Sequence, residues 1–155
     1  MKLILMIAAA ALVAQPVAAH TPTATKADAA AVRSVLSTYK SAIERLDAAG
    51  TERLFTADSA ILETGGVEGS YGNYLTHHLT PELAEFKSFR FSNYKIEVRF
   101  VGPVALATES YAYRIETKKG EVAERLGVAT TVLTKIKGSW KILSMHNSAR
   151  RPKAS

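Results

Sequence analysis

The sequence predicts an α+β domain, with helices in the first half and a strongly bent antiparallel sheet in the second. Two observations carry this. Apolar residues recur at helical spacing from Val32 to Leu46 and again from Tyr71 to Leu79. From Tyr94 onward the pattern changes to period two, broken only by close turns. Three helices set against one bent sheet bury one face of each and leave a cavity where they diverge, a common place for a ligand.

The elements follow in order. Lys2, the apolar run Leu3 to Val13, Pro16 and the small residues Val17-Ala18-Ala19 have the layout of a cleavable signal peptide over residues 1–19. The apolar run is about 11 residues long, against the roughly 20 needed to span a bilayer. The chain is therefore expected to be exported, periplasmic or secreted, with no membrane attachment after cleavage. Residues 20–27 form an N-terminal tether, 28–152 the domain and 153–155 a tail. Thr25 and Asp28 fit a capping box opening a long helix through Val32, Leu36, Tyr39, Ile43 and Leu46, which Gly50 is expected to end. Thr51 can cap a short second helix through Phe55. Ala60 to Glu63 is a short strand before the Gly65-Gly66 turn. Ser70 can cap a third helix, Tyr71 to Leu79, closed by Pro81, with one more turn over Glu82 to Phe86. Strands follow at Tyr94–Phe100, Val104–Glu116, Val122–Lys137 and Trp140–Ser148.

Composition removes several functions. There is no cysteine, so thiol chemistry, thiolate metal sites and disulfides are excluded. The formal net charge is +6, and loss of residues 1–19, with one lysine and no acid, lowers it to +5. The basic residues alternate with acids along the elements, and only Arg150, Arg151 and Lys153 cluster. That is a solvated surface with a basic tail, and no nucleic-acid partner is expected.

Four passages give the chain a family likeness. Leu46-Asp47-Ala48-Ala49-Gly50 is followed by Leu54-Phe55-Thr56-Ala57-Asp58-Ser59-Ala60. A glycine turn precedes the third helix, the sheet is a long meander, and the chain closes on Trp140-Lys141-Ile142 and His146-Asn147-Ser148. In order and spacing these resemble the nuclear transport factor 2-like superfamily, in its SnoaL-like and ketosteroid-isomerase-like bacterial branch. The resemblance implies a cone of three N-terminal helices on a curved antiparallel sheet around a central pocket, and a homodimer through the open sheet face. It also implies chemistry in which a carboxylate moves a proton beside a carbonyl and a tyrosine with a protonated acid holds the enolate. Five residues past Asp58 the base position falls on Glu63, and eight before Asp47 the tyrosine position falls on Tyr39. The acid of the penultimate strand has no counterpart in Val128-Ala129-Thr130-Thr131-Val132.

The histidines add to these. His78 shares a helix face with Tyr71, Tyr74 and Leu75 and is expected to point inward, with His77 at the rim. His146 alternates with Trp140, Ile142 and Ser148 and is expected on the same inner face. The candidate catalytic residues are thus Glu63, His78, His146 and Tyr39. Tyr74, His77, Tyr111, Arg125, Trp140 and Ser148 are expected to contact the ligand. Three functions stay open: a non-catalytic pocket for a small apolar or amphipathic molecule; an isomerase, cyclase or dehydratase-like enzyme using a carboxylate and histidine; and a periplasmic metal-binding protein using His78 and His146, the ligand types of zinc, copper or iron. A cleaved terminus at His20 could add a copper chelate. No cofactor is expected, and no residue is assigned as a metal ligand.

Overall fold

A computed structural model of the chain describes residues 25–153. The expected signal peptide, His20 and most of the tether lie outside the described residues, as do residues 154–155. Helix α1 (Lys26–Glu44) opens on the capping box: the Asp28 N–H donates to Thr25 Oγ1 and the Thr25 N–H to Asp28 Oδ2, both at 3.1 Å. Val32, Leu36 and Ile43 form its buried stripe. It ends before Gly50, because Leu46 turns the chain at φ 57° and Gly50, at φ 72°, instead leads into a 3-10 turn, Thr51–Leu54. Strand β1 (Phe55–Glu63) starts earlier than its alternation indicates and forms a hairpin with β2 (Gly66–Gly69) around Gly65, at φ 88°.

Pro81 does not close the third helix. One continuous helix, α2, runs over residues 71–85: α-helical at Tyr71–Tyr74, π-helical at Leu75–Leu79 and α-helical again at Thr80–Glu85. In the wide turn the Thr80 N–H donates to Leu75 O. A proline ring ordinarily presses on the carbonyl four residues earlier, here His77, and lacks a donor for it; the π-helical turn lies at that place.

The remaining chain is a meander of β3 (Phe86–Val101), β4 (Val104–Thr117), β5 (Val122–Ile136) and β6 (Ser139–Arg150). The six-stranded sheet has the order β2-β1-β6-β5-β4-β3, antiparallel except where β1 runs parallel to β6. It is curved and unclosed. Irregularities between Ser92 and Lys95 in β3, and beside Leu143 in β6, break the ladder and exchange the faces of the residues that follow. The core lies between the helices and the concave face. Small Ala105, Ala107 and Ala129 lie buried there beside Leu133 and Ile142, leaving room for Val32 and Leu36 of α1.

Candidate functional site

The cavity sits between α1, α2 and the concave side of β3, β4 and β6, with a volume of about 350 Å³. Its wall is strongly aromatic. Phe86, Phe89 and Phe91 come from β3, Tyr111 and Tyr113 from β4, Tyr39 from α1 and Tyr74 from α2. The rings brace one another: Phe89 stacks on Tyr113 at 5.2 Å between centroids, and Phe91 meets Tyr111 edge-on at 5.0 Å. Gly127 on β5, the register partner of Tyr111, makes room for this wall. A Cβ there would lie 2.2 Å from Tyr111 Cε2, so only glycine leaves the ring where it is.

Two carboxylates, Glu63 and Glu82, enter the lining. Glu63 ends β1 and is seated by its neighbour strand, being the register partner of Asn147, while the Thr64 N–H donates to Asn147 O at 3.0 Å. The Tyr74 hydroxyl donates to Glu63 Oε2 at 3.4 Å. His78 Nε2 lies 3.3 Å from Glu63 Oε2 and 3.2 Å from Glu82 Oε1, and its Nδ1 lies 3.3 Å from Glu68 Oε2. The imidazole also stacks on Tyr74 at 5.1 Å. A neutral ring carries one N–H and donates to one side only; the doubly protonated ring donates to both. Burial pushes the Glu63 carboxyl above its ordinary value of 4.5, the His78 ring and the Tyr74 hydroxyl oppose this, and the charges of Glu82 and Glu68 add to it. Burial likewise holds the Tyr39 hydroxyl well above 10, reinforced by Tyr74, Tyr71 and Glu63, so Tyr39 is a neutral donor at ordinary pH. Chemically, a carboxyl whose proton affinity is raised by burial faces a cavity lined largely by aromatic side chains.

A family comparison settles the ancestry of this arrangement. The SnoaL-like domain model matches residues 32–152. The chain belongs to the SnoaL-like domain family. Solved structures agree on the fold of this SnoaL-like domain. A candidate ketosteroid isomerase from Shewanella frigidimarina is similar at 28% identity and a TM-score of 0.67, over 76% of this chain and 94% of that one. A candidate dehydratase of the nuclear transport factor 2-like family from Streptomyces avermitilis is similar at 20% identity and 0.70, over 84% and 100%. A candidate aromatic ring hydroxylase from Novosphingobium aromaticivorans is similar at 15% identity and 0.74, over 84% and 94%. The search of curated proteins finds no match. The fold is one that generally holds small molecules.

The SnoaL-like domain brings together some of the residues expected from sequence and separates others. Tyr39, Glu63, Tyr74 and Tyr111 all line the cavity, and Ser148 reaches its edge. His78 is not part of the cavity lining and meets it only through Glu63 and Glu82. His77 is exposed. His146 does not face inward: Leu143 is an extra residue in β6, so Ile142 and Met145 are the buried pair and His146 falls on the outer, exposed side with Thr130 beside it. Trp140 is buried away from the cavity, where its Nε1 donates to Asp28 Oδ1 at 3.0 Å and its ring packs against Phe100. Arg125, opposite Tyr113 in the register, does not reach the lining, and one of its guanidinium N–H groups donates to Glu124 O.

With His146 on the far face, His78 and His146 do not form the expected metal pair, and among the described residues no cluster of three or more histidine or acidic side chains has the geometry to hold a metal ion. Sequence reasoning missed Glu68, Glu82 and the phenylalanines of β3. The His78–Glu82 spacing of four was a readable helical signal; Glu68 was not, because only the β1–β2 hairpin brings it near. It also missed Glu109, buried on β4, which accepts hydrogen bonds from the Tyr94 hydroxyl and from Thr131 Oγ1, the latter at 3.3 Å. Burial raises its carboxyl, against the pull of those two donors.

Proposed function

We propose that this SnoaL-like domain binds a small ring compound in its aromatic cavity and moves a proton on it, as an isomerase- or dehydratase-like enzyme. The observation that carries the reading is Glu63: a carboxyl with raised proton affinity, on the wall of a cavity lined by seven aromatic side chains, held by Tyr74 and His78. As carboxylate, Glu63 takes a proton from carbon beside a carbonyl. On a β,γ-unsaturated ring ketone the C–H electron pair becomes the carbon–carbon double bond of a dienolate, conjugated with the existing double bond, and the Tyr39 O–H donates to the dienolate oxygen. The protonated Glu63 then returns the proton to the γ-carbon as the carbonyl re-forms, so the double bond moves from the β,γ to the α,β position and the isomerisation is complete. His78 positions Glu63 and bears on its charge.

The test is hydrogen exchange of simple cyclic ketones in D2O, followed by NMR. The expected result is protein-dependent loss of the α-hydrogen signal, falling by roughly 100-fold or more in Glu63→Gln, with ketone binding retained. Exchange that persists in Glu63→Gln would overturn the reading.

The signal-peptide pattern of residues 1–19 supports export, and the test is the N-terminal residue of the secreted or periplasmic product, expected at His20. A homodimer through the outer sheet face is supported by exposed Leu126 and Val128 on that face. Sedimentation should give twice the chain mass, and Val128→Asp should give the monomer.

A further inference from the structure

The charge at the cavity mouth runs against that of the molecule. The sequence carries +6, yet among the described residues no lysine or arginine lines the cavity, while two glutamates do. A third, Glu68, faces the opposite side of the same imidazole. None of the ion pairs among the described residues joins Glu63, Glu68 or Glu82 to a lysine or arginine. Three carboxylates therefore surround one imidazole, and even the doubly protonated ring leaves negative charge over when all three are ionised. The same cavity is lined by seven aromatic side chains, whose faces carry the negative end of the ring quadrupole. One of these rings already meets a cation: Lys40 Nζ lies 5.2 Å from the Phe91 centroid and 5.3 Å from that of neighbouring Tyr94, and it is paired with Glu44. Among the described residues, none that lines the cavity is a lysine or arginine.

We infer that the cavity selects an organic cation, a ring compound bearing a protonated or quaternary amine, and discriminates against carboxylates and other anions. The ring lies among Phe89, Phe91, Tyr111 and Tyr113, and the ammonium sits toward Glu82 and Phe86 at the mouth. That placement leaves Glu63 free to meet a carbon of the ring. Attraction to aromatic faces and to partly exposed carboxylates each contributes modestly, and together they amount to about a ten-fold preference for the cation over a neutral analogue. An anion meets the opposite sign of both terms. This inference rests on the cavity being the ligand site, as in the proposed function, and names the charge class of what enters it.

The experiment uses the full chain and three probes of one size: benzyltrimethylammonium, benzyl alcohol and phenylacetate, titrated by calorimetry or by NMR of the aromatic side chains. Expected is benzyltrimethylammonium about ten-fold tighter than benzyl alcohol, with phenylacetate weakest and the preference shrinking as salt is raised. The double substitution Glu68→Gln and Glu82→Gln should narrow the cation-to-neutral ratio to about two-fold, with circular dichroism confirming the fold. Equal or tighter binding of phenylacetate or benzyl alcohol overturns the inference, and so does the absence of any cation binding. A cation preference that survives the double substitution overturns the role of the mouth carboxylates. Ketone exchange separates the two readings: exchange that depends on Glu63 without a cation preference sinks this inference and leaves the proposed function standing.

Discussion

Replacing Gly127 with alanine tests the construction of the cavity wall directly. The new Cβ would lie 2.2 Å from Tyr111 Cε2 and 2.9 Å from Cδ2 and Cζ. A carbon–carbon contact settles near 3.5 Å, so the ring must retreat by about 1.3 Å. It has little room to do so, being edge-on to Phe91 at 5.0 Å and stacked with Tyr94 at 5.8 Å. Overpacking of this kind costs about 1–3 kcal/mol, set against roughly 0.5–1 kcal/mol gained by stiffening the unfolded chain. The net expectation is a loss of ~1–2 kcal/mol, a fall in Tm of several degrees for a domain of this size. Urea or thermal unfolding would measure it. The decisive arm is a double-mutant cycle. In a Tyr111→Ala background the clash is gone, and Gly127→Ala should stabilise by about 0.5 kcal/mol. Stabilisation by Gly127→Ala in both backgrounds would refute the claim that the glycine exists to seat the ring.

Further outcomes are expected elsewhere. Thr56 Oγ1 is buried without a protein partner, so Thr56→Val should be neutral or stabilise by up to about 1 kcal/mol; destabilisation beyond that in urea unfolding would mean the hydroxyl is satisfied in solution. The Glu109 carboxyl is raised above 4.5 in the fold, so the folded state keeps a proton that the unfolded chain has released. Stability from this group is present below 4.5 and is lost as pH rises through the folded value. Glu109→Gln should flatten that part of the stability–pH curve, and an unchanged slope would count against it. The His78 ring opposes the rise of the Glu63 carboxyl, so His78→Gln should move the acid limb of any Glu63-dependent exchange to higher pH. A limb that stays in place, with only its height lowered, would make His78 structural alone.

The sequence was most legible where period and face stayed in phase. The stripe of Val32, Leu36 and Ile43, and the alternation along β4 and β5, hold as expected because nothing interrupts them. The first half of β3 was lost for a definite reason. Phe89 and Phe91 sit on odd positions and Ile96, Val98 and Phe100 on even ones, so the strand looks like two unrelated fragments. The irregularity between Ser92 and Lys95, with Asn93 at φ 52°, joins them. The same physics misplaced His146, since one extra residue at Leu143 exchanges inside for outside. Pro81 misled in a third way, because a π-helical turn is a property of hydrogen-bond geometry that side-chain spacing does not display. Of the candidate site, Tyr39, Glu63 and Tyr74 were within reach of one-dimensional reasoning. The ring of carboxylates around His78 was not, because it joins β1, β2 and α2.

The parallel pairing of β1 with β6 has a consequence for how the domain is assembled. Glu63 aligns with Asn147, 84 positions further along the chain. Closing a loop of that length costs about 4 kcal/mol of chain entropy beyond a constant. Local helices and the β3–β4 and β4–β5 hairpins can form without it, so contacts of long sequence separation come last in the order of cost. Glu63 is therefore seated by a strand that is synthesised long after it, β6. Loss of β6 would leave helices and hairpins with their local partners while removing the neighbour against which Glu63 is aligned, so activity should vanish before secondary structure does.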